Sequence, residues 1–460
     1  MINTTELQKK LYPVLSSGAL IRIAGRVLYH INREINRHTE RTSFLVMKMA
    51  DYCGLKEENA KRNLVFLSLF HTLGFFREDM VFNYNPYTST IDYFTNTPDV
   101  ESKYIFASYY LEFMTPIHKD ARALENFTAP FNKSNQQTSY LDDYKSIIYL
   151  CARVSDFVYK NPDRPLPENL DDLAPGMMNP KYIEIFTKLN AHHTLEDYIR
   201  DEEYLTELLP FVGSMEFSKD ECIILEKLMV YLLDLKSTVT MSHSINTSCY
   251  ALSIASRKGL NIDELSILFS SAILHDIGKI VTPQRILEYP GKLSPEDMGI
   301  MRYHVNHSKR ILKGLVSDEI LQNVFRHHEK LNGSGYPQQL TGDQLTLTQR
   351  ILTIADITSA LCDSRSYKGE FSKEKVLSIM KKMTEEGELD PELMDIVEEN
   401  FDDIHQELPL LQQILKVDFS YVLTNYNEYI LNHSSSVQNN SIEDIEEIEE
   451  LDDVEELEEV

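Results

Sequence analysis

The sequence lacks the features that mark secreted, disulfide-bonded and membrane-spanning proteins. Its 460 residues include only five cysteines and no C-x-x-C pair, which argues against a disulfide framework or a thiolate zinc site and fits a reducing compartment. No apolar run approaches the roughly 20 residues of a membrane helix. The N-terminal MINTTELQKK lacks the apolar core of a secretory signal. We therefore expect a cytoplasmic protein with no membrane partner.

Glycine and strand-like alternation are also scarce. Sixteen glycines and the absence of regular alternating runs argue against a large sheet. Apolar residues recur instead at spacings of three and four, the period of an amphipathic helix. Two such sets are Leu225, Leu228, Met229 and Leu232, and Leu265, Leu268, Phe269 and Ala272. We predict an all-α fold, with loops at 84–99 and 125–139 and an irregular connection over the proline-rich stretch 160–180.

Positive charge is in short supply. The formal net charge is −27, and residues 441–460 carry twelve acidic and no basic side chains. This balance argues against binding to polymeric nucleic acid or to anionic membranes. We expect a disordered acidic tail over 433–460. The alternative is a partner-binding helix, and its apolar residues would be Ile445, Ile448, Leu451 and Leu457.

An internal repeat relates the two halves of the chain. Three segments align in order, at offsets of 205, 204 and 203 residues, which indicates a duplication with small changes in loop length. The aligned pairs are His38 with His243, Gly54 with Gly259, His71 with His275, Gly74 with Gly278, Ala152 with Ala355, and Arg153 with Asp356.

Histidine is concentrated in the second copy. Six of the fourteen histidines fall between residues 243 and 328, and five of them form an ordered series with two aspartates. The series is His243, His275, Asp276, His304, His327, His328 and Asp356. Each gap between successive groups is about one helix and one loop, so each group could come from a different helix. Imidazole and carboxylate ligands without thiolate suit Fe, Mn, Zn, Co or Ni.

Seven ligands are too many for one closed site and suit two metals bridged by Asp276. Two divalent ions about 3.5–4 Å apart can activate a bridging water and hold a phosphate for in-line attack. We expect His275 and Asp276 to share one helix and to lie on its neighbouring faces, with Lys279 projecting from the same side as Asp276. Lys279 would then place positive charge beside the metals.

Further residues for binding a phosphorylated ligand follow. In HHEKLNGSGYP (327–337), Tyr336 can offer a ring to a base and a hydroxyl to a phosphate. Arg365 and Lys368 come soon after Asp356, and both can bind phosphate oxygens.

These motifs resemble the HD-GYP family of HD-domain metal-dependent phosphohydrolases. The matching pieces are LHDIGKI, HHEKLNGSGYP, RILTIADITSALCDSRSYK and GELDPEL, and they cover about 220–432. The resemblance implies an α-helical bundle with an Fe- or Mn-type centre that hydrolyses cyclic di-GMP to pGpG or GMP, with metal-activated water attacking phosphorus. It implies metal binding by His243, His275, Asp276, His304, His327, His328 and Asp356. It also implies catalytic roles for Asp276 and Lys279, and substrate contacts from Lys279, Tyr336, Arg365 and Lys368.

Two positions depart from the family pattern. Members with three metals resemble one another in a Glu four residues before the first histidine, where this chain has Val239. We therefore expect two divalent ions, with Fe or Mn favoured. The usual Asp of the D-G-x-G-Y-P run is Asn332, which can still form the turn without the charge.

The first copy resembles an HD domain that has lost its metal site. Thr72 replaces the bridging Asp, Phe75 the Lys, and Arg153 the last Asp. Because Arg153 puts positive charge where a cation would sit, we expect no metal there. We predict a regulatory or dimerising domain over 1–195, a helical linker over 196–219, an HD-GYP catalytic domain over 220–432 and the tail over 433–460.

The favoured function is a cyclic di-GMP phosphodiesterase. The alternatives are a module that binds a cyclic dinucleotide with little or no turnover, a hydrolase of another nucleotide, and an oxygenase of the di-iron HD type. Tyr336, Arg365 and Lys368 favour a phosphorylated ligand over the oxygenase reaction. A purely structural scaffold leaves the seven aligned residues unexplained. A homodimer and a protein partner bound through the tail are left open by the sequence.

Overall fold

The described parts of the chain are helical. The structure is a computed structural model, and it describes residues 4–55, 58–76, 100–131, 139–234, 238–289, 291–363, 371–413 and 424–428. Within these ranges no β-strand forms, and one isolated antiparallel bridge joins Asn332 to Thr341. The predicted all-α fold is therefore confirmed. Residues 1–417 form one compact unit, and a second unit over 418–460 contains a short helix at 424–428.

The N-terminal half begins with a short helix and continues through two long ones. Its helices are α1 (Thr4–Lys10), α2 (Ser17–Ile31), α3 (Arg33–Tyr52), α4 (Glu58–Phe70), α5 (Val100–Met114), α6 (Tyr140–Lys160), α7 (Pro180–His193), α8 (Leu195–Arg200) and α9 (Tyr204–Gly213). Short 3₁₀ turns occur at Leu73–Phe76, His118–Leu124 and Leu170–Leu173.

The C-terminal half has more and shorter helices. They are α10 (Lys219–Asp234), α11 (Thr238–Lys258), α12 (Ile262–Leu274), α13 (Gln284–Leu287), α14 (Pro295–Arg302), α15 (His304–Leu312), α16 (Asp318–Arg326), α17 (Leu347–Cys362), α18 (Lys373–Glu385), α19 (Pro391–Glu399) and α20 (Phe401–Gln412). Its 3₁₀ turns are Ile277–Val281 and Gly342–Gln344.

Both helices predicted from apolar spacing are present. The four apolar residues predicted for each of them are buried in α10 and α12. Asn261 begins α12 with a capping box, in which its side chain accepts from the backbone N–H of Glu264 and the Glu264 side chain accepts in return. Residues 161–179 form the predicted irregular connection, with one 3₁₀ turn. The predicted loop at 84–99 and the whole predicted tail at 433–460 lie outside the described residues.

The duplication is visible in the packing. In the N-terminal half α3 packs on α4 and α6, and α5 packs on the 3₁₀ turn at 73–76. In the C-terminal half α11 packs on α12 and α17, and α15 packs on the 3₁₀ turn at 277–281. A Cβ atom on Gly74 would lie 2.1 Å from the carbonyl O of Lys103, and one on Gly278 would lie 2.1 Å from that of His304. Both copies therefore need glycine at the same close approach between turn and helix.

The two halves meet along α2. This helix packs on α10, on the 277–281 turn and on α15. Ser17 Oγ lies 3.3 Å from Cys222 Sγ, a contact between positions 205 residues apart. Arg26 donates from Nη1 to the carbonyl oxygens of Ile311 (2.6 Å) and Lys313 (2.9 Å), and thereby caps the end of α15.

The proposed linker is largely helical, because α8 and α9 occupy most of 196–219. The domain boundaries at 195, 219 and 432 stay predictions. All five cysteines are free thiols. Among the described helices, none has both the length and the apolar character needed to cross a bilayer.

Candidate metal centre

The structure brings all seven predicted ligand residues together. His243 lies within α11, His304 begins α15 and Asp356 lies within α17. The other four lie at helix ends: His275 and Asp276 follow α12, and His327 and His328 follow α16. Our expectation that His275 and Asp276 share one helix is wrong, because α12 ends at Leu274 and the chain turns into the 277–281 segment directly after Asp276.

The candidate ligands form two groups. One contains His243, His275 and Asp276, and the other His304, His327 and His328; in each group the ligand atoms lie within 4.8 Å of one another. Imidazole rings pack closely around the second group, where the centroids of His327 and His328 are 4.0 Å apart. Sets of three nitrogen or oxygen ligands that leave further positions open are typical of catalytic metal sites.

Asp276 lies between the two groups. Its Oδ2 lies 3.2 Å from His275 Nε2 and 3.6 Å from His243 Nε2, and its Oδ1 lies 3.3 Å from His304 Nε2 and 3.9 Å from His327 Nε2. One carboxylate oxygen therefore faces each group, which is the arrangement a bridging ligand requires. Asp276 Oδ1 and His275 Nε2 are buried without a hydrogen-bond partner among the described residues. Such atoms fit a bound cation.

Three of the histidines are oriented by the backbone. Nδ1 of His275, His304 and His327 donates to the carbonyl oxygen three residues earlier, at 2.7, 2.8 and 2.6 Å. A carbonyl can only accept, so the proton is on Nδ1 and the Nε2 lone pair faces the centre of the cluster. Outer hydrogen bonds of this kind fix metal-binding histidines in the ligating tautomer.

The charge state of the second group also suits a metal, whereas in the first group the carboxylates of Asp276 and Asp356 outweigh burial and raise the pKa of His275 to about 10. Burial lowers the pKa of His304 to about 4 and that of His328 to about 3, so both rings stay neutral. Burial alone would raise the pKa of Asp276, but His275 and Lys279 hold it well below its usual range. Neutral imidazoles and ionised carboxylates are the forms in which these groups ligate metals.

Asp356 completes the cluster on the side of α17. Its Oδ1 lies 2.9 Å from His243 Nε2, and its Oδ2 lies 3.5 Å from His328 Nδ1. Asp356 thus contacts one histidine of each group. Two residues that the sequence analysis missed lie behind it: Ser359 Oγ lies 3.1 Å and Asp363 Oδ2 3.4 Å from His243 Nδ1. Their spacing could have identified them in the sequence, because residues three and seven positions after Asp356 share its face of a helix.

Lys279 reaches the cluster from the 3₁₀ turn. Its Nζ donates to Asp276 Oδ2 at 2.5 Å, as the three-residue spacing predicted. Gly278 makes this geometry possible, because the turn lies directly on the first residues of α15. Ser308 Oγ accepts from Gly278 N and donates to the carbonyl O of His275, which fixes the turn on α15.

The loop after His328 is held by a residue that the sequence analysis did not assign. Glu329 is buried and accepts from the backbone N–H groups of Gln338 (2.6 Å) and Leu340 (2.9 Å). Asn332 keeps the expected turn role, since its Oδ1 accepts from Ser334 N. A Cβ on Gly335 would lie 2.5 Å from Lys330 N, so the loop closes against its own start.

Tyr336 lies beside the second group of histidines. Its ring centroid is 4.7 Å from that of His328, and its N–H donates to the His328 carbonyl O at 3.2 Å. Arg302, which the sequence analysis also missed, lies with its guanidinium carbon 5.2 Å from the centre of the Tyr336 ring. A cation thus lies against an aromatic ring beside the cluster.

Three positions discussed from the sequence have no described side chain. Arg365 and Lys368 lie outside the described residues, and the side chain of Val239 is likewise not described. His307, which we did not assign as a ligand, lies in α15 against the ring of Tyr303 and belongs to neither group.

The corresponding place in the N-terminal half is built differently. His38 Nδ1 lies 2.6 Å from Asp156 Oδ1, and Arg153 Nη2 lies 2.9 Å from Asp156 Oδ2. All three side chains are buried. Thr72, at the position of the bridging Asp, shares a 2.8 Å hydrogen bond with Thr39. An ion pair between side chains occupies this place in the first copy.

Known proteins resemble the C-terminal half. A family model described as an HD domain matches residues 227–393. Among curated relatives, the 3'3'-cGAMP-specific phosphodiesterase 1 of Vibrio cholerae is 33% identical over 41% of this chain and 44% of its own length. The cyclic di-GMP phosphodiesterase response regulator RpfG of Xanthomonas campestris is 35% identical over 31% of this chain and 38% of its own. The cyclic di-GMP phosphodiesterase of Thermotoga maritima is 30% identical, over 49% and 60%.

A solved structure shares the fold over both halves. The crystal structure of a cyclic GMP-AMP specific phosphodiesterase of V. cholerae superposes with a TM-score of 0.52 at 18% identity, and covers 84% of this chain and 98% of that one. The chain matches less than two thirds of the length of the curated relatives named above. Residues 227–393 therefore match an HD domain, and the motifs in this part of the chain resemble those of the HD-GYP type.

Proposed function

We propose that this chain is a metal-dependent phosphodiesterase that hydrolyses cyclic di-GMP to pGpG or GMP. The observation that carries the proposal is the position of Asp276, which directs one carboxylate oxygen at each of two groups of histidines. A single carboxylate between two nitrogen-rich groups suits a pair of divalent ions, and the pair is the arrangement that phosphate-ester hydrolysis uses.

The proposed cofactors are two divalent ions, with Fe or Mn favoured by the imidazole and carboxylate donors. The seven residues that would hold them are His243, His275, Asp276, His304, His327, His328 and Asp356. Bound there, the ions would supply Lewis-acid stabilisation of the phosphate and an activated water. The unpartnered Asp276 Oδ1 and His275 Nε2 support the fit.

The remaining residues would position the substrate. Lys279 Nζ, beside Asp276, would place a positive charge against a phosphate oxygen and stabilise charge that develops there. Tyr336 would stack on a base of the substrate. The guanidinium group of Arg302 and the ring of His328, which both contact the Tyr336 ring, would hold that ring in place. Arg365 and Lys368 would contact phosphate oxygens, as their place after Asp356 suggests.

A second candidate substrate is 3'3'-cGAMP. The relatives from V. cholerae that are named as 3'3'-cGAMP-specific are 33–35% identical to this chain, and those named as cyclic di-GMP phosphodiesterases have similar identity. Both dinucleotides present the same phosphodiester ring to the cluster. The bases differ at one position, so contacts with the base decide between them.

The test compares both dinucleotides with one protein preparation. The full chain is purified without oxygen in Mn²⁺ or Fe²⁺ and incubated with cyclic di-GMP or 3'3'-cGAMP, and the products are separated by chromatography. Asp276→Asn keeps the shape of the side chain and removes its charge, and Asp395→Asn on the exposed face of α19 serves as the matched control. Metal content is measured on each protein.

We expect two ions per chain and linear products in the wild type and in Asp395→Asn. Asp276→Asn should lose both ions and all turnover. Full activity in Asp276→Asn would contradict the bridging role. Bound metal with both dinucleotides intact would favour the alternative of a binding module without turnover.

A further inference from the structure

A cavity of about 210 Å³ lies between helices α2, α3, α4 and α9 of the N-terminal half, and we refer to it as the α2 cavity. An engineered cavity of about 150 Å³ with apolar walls binds benzene, so the α2 cavity is large enough for a small organic ligand. Leu209, one of its lining residues, is 38% exposed, so the cavity opens to solvent on that side. Its apolar walls include Ile21, Leu69, Phe70, Leu208, Leu209 and Val212.

Gly25 enlarges the cavity from the side of α2. It lies in the middle of this helix, where glycine is less favourable than alanine, and it lines the cavity. A Cβ atom on Gly25 would meet no other part of the protein within 4 Å. Gly18 on the same helix differs, because a Cβ there would lie 2.3 Å from the carbonyl O of Gly213. Close packing therefore requires glycine at position 18 and not at position 25, where the missing side chain leaves open space.

Two arginines one turn apart on α2 line the cavity without an acidic partner. Among the described residues, no carboxylate pairs with Arg22 or Arg26, and no acceptor contacts the Arg22 guanidinium. Arg26 uses only its Nη1, which donates to the carbonyl oxygens of Ile311 and Lys313. Burial and the like charge of Arg22 lower the pKa of Arg26. An anion beside the two guanidinium groups would offset this repulsion.

The carboxyl group of Glu40 also lines the cavity, but its partners lie on α3. It accepts from Asn36 Nδ2 at 2.9 Å. Burial raises its pKa, and the positive charges that act against this shift are those of Arg37 and Arg41. Glu40 is therefore not the counter-ion of the two arginines on α2. The unpaired positive charge of the cavity lies on the α2 side, and the apolar walls of α4 and α9 complete it.

We propose that the α2 cavity binds a small carboxylic acid with an apolar tail, in its ionised form. The tail would lie against Phe70, Leu208 and Val212, and the carboxylate would accept hydrogen bonds from the guanidinium groups of Arg22 and Arg26. Guanidinium groups match the geometry of a carboxylate, which makes these hydrogen bonds strong and specific. The proposal does not depend on the activity proposed for the C-terminal half.

Titration calorimetry on the full chain tests the proposal by comparing octanoate with octanol, which has the same tail and no charge. Each ligand is titrated before and after removal of divalent metal by a chelator. We expect one octanoate per chain under both conditions. Octanol should bind at least about tenfold more weakly, because it cannot form a charged hydrogen bond with the arginines.

Three results of this comparison would overturn the proposal. They are the absence of octanoate binding, equal affinities for octanoate and octanol, and loss of octanoate binding on chelation. The last result would place the carboxylate on the metals of the C-terminal half. The comparison uses the wild-type chain alone, so it stands even if a substitution prevents folding.

Filling the cavity locates the binding site. Gly25→Leu puts a side chain into the open space and should weaken octanoate binding at least about tenfold, without lowering the unfolding midpoint, because leucine favours a helix more than glycine does. Gly299→Leu is the matched control, since Gly299 lies within α14 and a Cβ there would also meet nothing within 4 Å. A folded Gly25→Leu protein that binds octanoate as wild type does would contradict the assignment.

Removing one positive charge identifies the group that binds the carboxylate. Arg22→Gln should weaken octanoate binding about tenfold and leave octanol binding unchanged, because only octanoate carries the charge that Arg22 contacts. Arg33→Gln is the matched control, since Arg33 is exposed on α3 and does not line the cavity. An equal loss of affinity for both ligands in Arg22→Gln would show that Arg22 acts on the shape of the cavity alone, and would contradict carboxylate recognition.

Discussion

A buried carboxyl in α10 makes stability depend on pH. Glu226 is 4% exposed, and Ser270 Oγ donates to its Oε1 at 3.1 Å. Burial raises the pKa of this group to about 7, and the Ser270 hydrogen bond offsets only part of the shift. The unfolded chain has the ordinary value of 4.5. We predict that Glu226→Gln removes a destabilisation that wild type has at neutral and alkaline pH.

The sign follows from proton binding. Below pH 4.5 the carboxyl is protonated in both states and costs nothing. Between pH 4.5 and about 7 the unfolded state loses the proton while the folded state keeps it, so wild-type stability falls as pH rises. At about 1.4 kcal/mol per pH unit, the loss is of the order of 3 kcal/mol and is complete above pH 7. For a chain of this length, that corresponds to about 3 °C in the unfolding midpoint.

The assay compares unfolding of wild type and Glu226→Gln at pH 5 and pH 8. Burying the glutamine amide of Glu226→Gln has its own cost in unfolding free energy, and this cost does not depend on pH. The informative quantity is therefore how much the difference in unfolding free energy between the two proteins changes from pH 5 to pH 8. We expect Glu226→Gln to gain about 3 kcal/mol relative to wild type between pH 5 and pH 8. Exposed Glu216→Gln is the control for charge removal. Parallel pH profiles for wild type and Glu226→Gln would refute the reasoning.

Three further predictions concern the site and the tail. Gly278→Ala and Gly74→Ala should each destabilise the protein by about 3 kcal/mol in thermal or denaturant unfolding, because a Cβ would collide with a backbone carbonyl in either copy; a harmless Gly74→Ala would show that the first copy is packed more loosely. Glu329→Gln should loosen the loop that carries Tyr336. We expect it to lower the free energy of unfolding by about 2 kcal/mol and to raise KM for the dinucleotide. Unchanged stability and KM would argue against the role of Glu329 as an anchor of the loop. Removing residues 434–460 should leave turnover intact, and a large loss in the product assay would mean that the tail belongs to the active unit.

The sequence predicted the members of the cluster better than their placement. Histidines and aspartates separated by about one helix each could be recognised without knowing any helix boundary. The exact position of Asp276 could not, because it depends on α12 ending at Leu274 and on Gly278 lying against α15. Those are tertiary contacts, and no local pattern encodes them. The helical period alone therefore placed His275 and Asp276 on α12, although this helix ends at Leu274.

The residues that the sequence did not predict hold or orient other residues of the site. Glu329 binds backbone N–H groups nine and eleven residues later, and Asp363 approaches a histidine more than one hundred residues away. Neither partner follows from a sequence period, although the place of Asp363, seven residues after Asp356, was visible in the sequence. In the first copy the substitution of Asp by Arg153 was evident from the alignment of the two halves, whereas the ion pair of Asp156 with His38 and Arg153 needed the packing of α3 on α6.

The contact of Ser17 with Cys222 has a consequence for assembly. Because equivalent positions of the two copies touch, α2 and α10 meet as equivalent helices do across the two-fold axis of an isologous dimer. In a homodimer every substitution appears in both subunits. Here the two copies are joined in one chain, so a substitution changes one copy and leaves the other as it was. One copy can then keep a full set of candidate metal ligands while the other carries the buried Arg153. The face that such a dimer would use is already occupied within the chain, and a second chain would have to bind elsewhere.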